Sequence, residues 1–242
     1  MRLARRAAIR TAIAGFATLV LGAGLAGAEE SPFVPLGAGP RREPIIRVYV
    51  VRHAAAWKNV SARLRPPGMT EAQLDSLTDD GLAQAKAVGT RLAGAGVTRV
   101  LSSPAQRARQ TAETIADVLD TGPVEVSAAF QPLQHGASRD AANYRWRTDN
   151  WKRGADPRPP DGESLGDGLA RASAFLEAIG REAPGTTVVV VTHGEITAAL
   201  LSQAAGVSPL TGYARHFVGE GTISDIALHD GGWQLLAKGV KP

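Results

Sequence analysis

The chain has 242 residues, with 27 Lys and Arg against 23 Asp and Glu, five His and no Cys. The missing cysteine excludes disulfides and thiolate-bound metals. The formal charge of +4 belongs to one end: residues 1–28 hold four arginines and no acid, leaving 23 groups of each sign, so no general nucleic-acid-binding surface is implied.

That end reads as a signal peptide. Arg2, Arg5, Arg6 and Arg10 precede an apolar stretch from Thr11 to Leu25, and Ala26-Gly27-Ala28 before Glu29 has the small-x-small pattern of a cleavage site. The stretch is short and glycine-rich for a membrane span. Arg5-Arg6 fits a twin-arginine signal. The expectation is cleavage after residue 28, a periplasmic or secreted product, and no stable membrane span in the mature chain. Residues 29–44, with Pro32, Pro35, Pro40 and Pro44, read as an extended leader. Residues 45–242 suffice for one α/β domain.

A β-branched run from Ile46 to Val51 ends on Arg52-His53 and reads as a buried strand. Residues 54–77 read as loop with one short helix. Thr78 caps a helix whose apolar positions are Leu82, Ala85, Val88 and Leu92, and Gly94 to Gly96 stops it. Val97 to Ser102 is a short strand. Pro104 suits a first helical position, and the next helix carries Ala108, Thr111, Ile115 and Leu119 on one side. Val124 to Phe130 is a further strand candidate. Residues 131–162 read as a long irregular loop, with Trp146, Trp151 and a cluster of basic residues. Ser164 to Glu182 is a helix, Val188 to Thr192 a second buried strand ending on His193-Gly194, and Glu195 to Ala205 a helix. Ile223–Leu228 and Trp233–Ala237 form a hairpin around Asp230-Gly231-Gly232. Alternating strands and helices predict a three-layer α/β/α fold with a mostly parallel central sheet.

The carboxyl ends of parallel strands are where such sheets bind ligands. Two strands that each end on a histidine, one carrying an arginine beside it, suit covalent chemistry on an anion. A neutral imidazole can attack phosphorus, and it then needs cations to screen the phosphate. His193 precedes a helix, whose first N–H groups favour anions, and would bind phosphate as imidazolium. Arg107, in the first turn after Ser103-Pro104, can grip phosphate oxygens with its fork.

These residues fall in a pattern. Arg52-His53 is followed by Asn59 six residues on. Leu77-Thr78-Asp79-Asp80-Gly81-Leu82-Ala83-Gln84-Ala85 follows, then Ser103 to Ala112 with Arg107 and Gln110-Thr111-Ala112, then Gly162-Glu163-Ser164, then His193-Gly194. In this order the motifs resemble the histidine phosphatase superfamily, in its phosphoglycerate-mutase-like branch, over about residues 45–228. The resemblance implies His53 as nucleophile, Arg52, Arg107 and His193 as the phosphate pocket, Asn59 touching phosphate or substrate, a small phosphorylated substrate, and neither metal nor other cofactor. Ala54 departs from the family's glycine after the histidine. The family's acid, in a Leu-x-Glu pattern, aligns with His135 after Leu133; a histidine can donate protons near neutral pH. Glu195 is a rival, since another branch places its acid after the late histidine. Asp140 is a third candidate.

The leading function is an exported phosphomonoesterase. The alternatives are a mutase, a phosphohistidine-protein phosphatase, and a phosphate- or sugar-phosphate-binding module without efficient turnover. Trp57, Tyr144, Trp146 and Trp151 are expected to cover the sheet edge. Arg139, Arg145, Arg147, Lys152 and Arg153 are expected to be solvated, and His216 and His229 to be structural or exposed.

Overall fold

The computed structural model describes residues 43–137 and 141–242. Residues 1–42, where a signal peptide and most of a leader were expected, and Arg139 and Asp140 lie outside them. Six strands form one mixed sheet: β1 (Ile46–Arg52), β2 (Arg99–Ser102), β3 (Glu125–Val126), β4 (Thr186–Thr192), β5 (Ile223–His229) and β6 (Gly232–Val240). Their order is β3-β2-β4-β1-β5-β6. The β3–β2, β2–β4 and β4–β1 pairs are parallel, and only β5 runs against the rest. Among the described residues the helices are α1 (Glu71–Leu74), α2 (Asp79–Leu92), α3 (Gln106–Leu119), α4 (Ala141–Lys152), α5 (Leu165–Glu182), α6 (Gly194–Ala204) and α7 (Pro209–His216). Among the described residues no helix is long and apolar enough to cross a membrane.

The strand sequences explain the layers. Side chains alternate across a strand, and both faces of β1 and β4 are apolar. Ile46, Val48, Val50, Val188 and Val190 enter one core with Leu176 of α5 and Ile196 and Leu200 of α6. Tyr49, Val51, Val189 and Val191 enter the other with Val88 and Leu92 of α2 and Ala112 and Ile115 of α3. This is the three-layer arrangement expected from the sequence, with a hairpin of β5 and β6 added at one edge.

Several local readings need correction. Leu82 is 45% exposed; Gly81 takes the buried position in the first turn of α2 instead. Pro104 lies before Ala105, the N-cap of α3, not in the helix. The strand candidate at 124–130 pairs only over Glu125–Val126, because Ser127 caps a 3-10 turn at Ala128–Phe130 that swings Phe130 into the core. Residues 141–152 are helical, not irregular. The inward face of α4 carries Arg147 and Trp151, both fully buried; an arginine there hides the apolar periodicity. The segment at 209–216 was not read from sequence, although Ser208 caps α7 with Pro209 as its first residue.

The motif residues outside the strand ends pin the chain just past β1. The Ala54 and Ala55 amides donate to Thr111 Oγ1 at 3.1 Å and Gln84 Oε1 at 3.0 Å. The Leu77 amide donates to Gln110 Oε1 at 2.8 Å. Gly81 permits this closeness, since a Cβ there would stand 2.0 Å from the Ala55 carbonyl oxygen. Gly81→Ala therefore sets a helix-propensity gain of about 1 kcal/mol against overpacking of about 1–3 kcal/mol. The obstacle is backbone, so the clash wins and the variant unfolds at lower urea. Gly231→Ala, which meets open space, stays within about 0.5 kcal/mol of wild type. Equal urea midpoints for the two variants would show that this approach is not tight.

Candidate active site

The parallel register builds the site. Arg52 pairs with Thr192 across β1 and β4, and Ser102 with Val191 across β2 and β4. The next residues, His53, His193 and Ser103, then leave the sheet together; the His53 and Ser103 amides donate to Thr192 and Val191 carbonyls at 2.9 and 3.0 Å. The two imidazole rings lie 5.2 Å apart. Both are buried, at the base of a cleft of about 590 Å³. Arg52, Asn59, Arg107, His135 and Glu195 also line it. All seven sequence-derived candidates in the described residues therefore share one cleft. Asp140 lies outside the described residues.

Hydrogen bonds set the tautomers. His53 Nδ1 lies 2.9 Å from the Ala54 carbonyl oxygen. That oxygen can only accept, so Nδ1 carries the proton and the neutral ring keeps its lone pair on Nε2. Arg107 Nη2 donates to His193 Nδ1 at 2.9 Å, and His193 Nε2 contacts Ser103 Oγ at 2.8 Å. Arginine only donates, so His193 holds its proton on Nε2.

Burial, then the positive charge of Arg107, pushes the His53 pKa down to about 3, against the pull of the Ala54 carbonyl. Burial and the Arg107 charge likewise hold His193 well below the usual histidine range. The ligand-free site thus keeps His193 neutral, where the sequence suggested imidazolium: beside Arg107 and in a dry setting, a second cation is unfavourable without an anion to offset it.

The arginines are tethered. Arg52 donates to the Val218 carbonyl at 2.8 Å and to Glu220 at 3.2 Å, over the Phe217 ring. Its Nε is buried without a partner. Arg107 pairs with Asp75, which also accepts from the Gln106 amide at 2.9 Å and lies 3.5 Å from Lys58 Nζ. Burial raises the Glu220 pKa, opposed by Arg52 and Arg107. Sequence reasoning missed Asp75 and Phe217, and read Ser103 only as a motif member without its contact to His193. Asp75 stands three residues before the Thr78 cap, just ahead of the motif that begins at Leu77. Phe217 explains Gly194: a Cβ there would lie 2.6 Å from its ring.

The two acid candidates meet on the far wall. His135 Nε2 lies 3.7 Å from Glu195 Oε1. Burial alone would raise the Glu195 pKa, but the His135 ring facing it, its own backbone N–H and the charge of Arg52 lower it overall. Behind them sits Arg147. It was expected in solvent and is fully buried, donating to His135 Nδ1 at 3.1 Å and the Glu163 carbonyl at 2.7 Å. Glu163 anchors the segment that carries His135: its carboxylate accepts from the Gln134 amide at 3.1 Å, and its amide donates to the Gln134 carbonyl at 2.9 Å. Arg171 grips that carboxylate and the carbonyls of Ala129 and Gln131. Of the aromatics, Trp151 is core, Tyr144 lines the cleft and Trp146 is 48% exposed. His216 is buried against Ser202, at 3.0 Å. Among the described residues no group of three or more His, Asp or Glu is placed to hold a metal ion.

Residues 48–241 match the family model for the histidine phosphatase superfamily, branch 1. Over 170 residues the chain is 31% identical to a probable phosphoglycerate mutase, GpmB, of Escherichia coli O139:H28, covering 67% of this chain and 76% of that protein. Among solved structures it is similar to a mycobacterial glucosyl-3-phosphoglycerate phosphatase studied with VO3, at TM-score 0.64 and 22% identity over 80% of this chain and 99% of that one. It is also similar to a phosphoserine phosphatase of Entamoeba histolytica, at TM-score 0.61 and 20% identity over 80% and 96%. At such identities the solved structures speak for the fold.

The histidine environment carries a pH consequence. An unfolded histidine takes up its proton near pH 6.5, and folded His53 only near 3. Between these values the unfolded chain holds more protons, so stability falls as pH drops from about 7 toward 3. In ligand-free protein, the melting temperature should fall between pH 7.5 and 5, and less steeply in His53→Asn. Parallel pH profiles for the two proteins would refute the assignment to His53.

Proposed function

The chain belongs to the histidine phosphatase superfamily, branch 1, and on that footing we propose that it is a metal-independent phosphomonoesterase that hydrolyses a small phosphorylated substrate through a phosphohistidine on His53. The observation that carries this reading is the tautomer of His53: its Nδ1 proton is committed to the Ala54 carbonyl, which leaves the Nε2 lone pair for attack on phosphorus. Arg52, Arg107 and His193 then surround the phosphoryl oxygens, and Asn59 touches phosphate or substrate. A phosphate dianion offsets the cations that keep His193 neutral, so bound phosphate favours the imidazolium. The proton for the leaving oxygen comes from the His135–Glu195 pair.

In the first half-reaction, His53 Nε2 bonds to phosphorus as the phosphorus–oxygen ester bond breaks and the alcohol leaves protonated. In the second, water attacks phosphorus, the phosphorus–nitrogen bond breaks, and inorganic phosphate departs. The name of the GpmB relative supports a second reading, a phosphoglycerate mutase, which returns the phosphoryl group to substrate instead of water.

The test uses residues 29–242 in EDTA, with p-nitrophenyl phosphate, alkyl phosphates and 3-phosphoglycerate. Phosphate release that survives EDTA and is lost in His53→Ala is the expected result. Conversion of 3-phosphoglycerate to its isomer with little phosphate release would favour the mutase. Vanadate binding without turnover of any ester would favour the binding module.

We further propose that residues 1–28 direct export and are removed, giving a periplasmic or secreted enzyme; the basic, apolar and small-residue segments in series support this. Mass spectrometry of protein secreted from a bacterial host should find Glu29 at the N-terminus. An intact Met1 on cell-retained protein would count against it.

A further inference from the structure

Resting on the phosphatase reading, we infer that Glu195 is the proton carrier of the reaction, and that His135 and the buried Arg147 are positioning residues that aim it. Arg147 is fully buried and forms no carboxylate ion pair among the described residues. Its Nε is buried without a partner, and the Trp151 ring lies 5.2 Å from the guanidinium carbon. The charge is therefore held in place by packing and by carbonyl and imidazole acceptors.

One of those acceptors is His135 Nδ1, at 3.1 Å. Arginine can only donate, so His135 must present a lone pair at Nδ1 and carry its proton on Nε2. That N–H faces Glu195 Oε1 at 3.7 Å. A proton on Nδ1 would break the Arg147 hydrogen bond and face the guanidinium, so the geometry holds the His135 proton on Nε2. A neutral imidazole that gave up its Nε2 proton would become imidazolate, which is far too basic to form here. His135 therefore orients a proton carrier and does not itself donate.

Glu195 is held ionised in the folded protein. A phosphate monoester entering as its monoanion brings the missing proton, and its negative charge favours protonated Glu195. The Glu195 proton then passes to the leaving oxygen as His53 Nε2 bonds to phosphorus. The resulting carboxylate takes a proton from the water that attacks phosphohistidine, so the carboxyl is regenerated as His53 is released. Atoms and protons balance over the cycle, with one carboxyl serving both steps.

Three variants separate aiming from donating. Gln at position 135 can accept from Arg147 through its carbonyl and donate to Glu195 through its amide; Ala can do neither. The expected result is that His135→Gln keeps alkyl phosphate turnover within about tenfold of wild type while His135→Ala loses about 100-fold. Glu195→Gln should lose at least about 100-fold on alkyl phosphates. On p-nitrophenyl phosphate, whose leaving group needs little help, it should release a burst of one equivalent and stall as phosphoenzyme. If His135→Gln is as impaired as His135→Ala while Glu195→Gln turns over alkyl phosphates normally, the assignment is overturned and the proton belongs to His135. In that case His53-dependent hydrolysis of p-nitrophenyl phosphate would still uphold the phosphatase reading; its absence from wild type would remove both. Nitrogen-15 NMR of the wild-type histidine rings gives a check that needs no rate. His135, identified by its loss in His135→Gln, should carry its proton on Nε2 and a lone pair on Nδ1. A proton on Nδ1 would overturn the inference whatever the kinetics.

Discussion

The parallel pairing of β1 with β4 decides where everything else in the cleft can stand. With Arg52 opposite Thr192, both strands release their histidines at one level of the sheet edge. A slip by one residue would turn one histidine to the other face. That register is secured by burial, because Val48, Val50, Val188 and Val190 serve one core while Val51, Val189 and Val191 serve the other. Apart from Arg52 at the end of β1, the apolar strands thus fix the geometry of the cleft without lending it a side chain.

Such convergence crowds positive charge, and the fold relieves it in two ways. The histidines stay neutral, held there by burial and by Arg107. The arginines lean on carboxylates, Arg107 on Asp75 and Arg52 on Glu220. An arriving phosphate competes with those carboxylates for the same guanidinium forks. The carboxylates thereby offset the cations in the folded protein, and the cations need little rearrangement to turn toward an anion.

What the sequence disclosed follows from what can be read along one dimension. His53, Arg52, Arg107 and His193 sit at strand and helix boundaries, where the change of period marks a position at the sheet edge. Gln84, Gln110 and Thr111 were visible as motif members, but their task, holding the amides of Ala54, Ala55 and Leu77, is a three-dimensional one. The wall opposite was much less legible. Helix α4 presents Arg147 and Trp151 to the interior, so its pattern is polar where a helix of this size is ordinarily apolar. A lone Arg147 among Arg145, Lys152 and Arg153 looks like one more solvated charge. Asp75 had no periodicity or neighbour to single it out.

The departure at position 135 and the presence of Glu195 make sense only together. A carboxylate at 135 would face Glu195 across the short gap that His135 now spans, and two carboxylates so close cannot both ionise without cost. A histidine there is compatible with Glu195 because it offers an N–H. That N–H points forward only because Arg147 occupies the other ring nitrogen. The carbonyl clamps of Arg171 and the backbone pairing of Glu163 with Gln134 then hold an irregular segment that no sheet supports. Buried arginines here perform the task that ladder hydrogen bonds perform elsewhere, satisfying carbonyls that would otherwise be buried without donors. Position 135 therefore depends on charges from α4, α5 and α6 at once. A glutamate at 135 while Glu195 remains would set two carboxylates against each other and give Arg147 a carboxylate to bind.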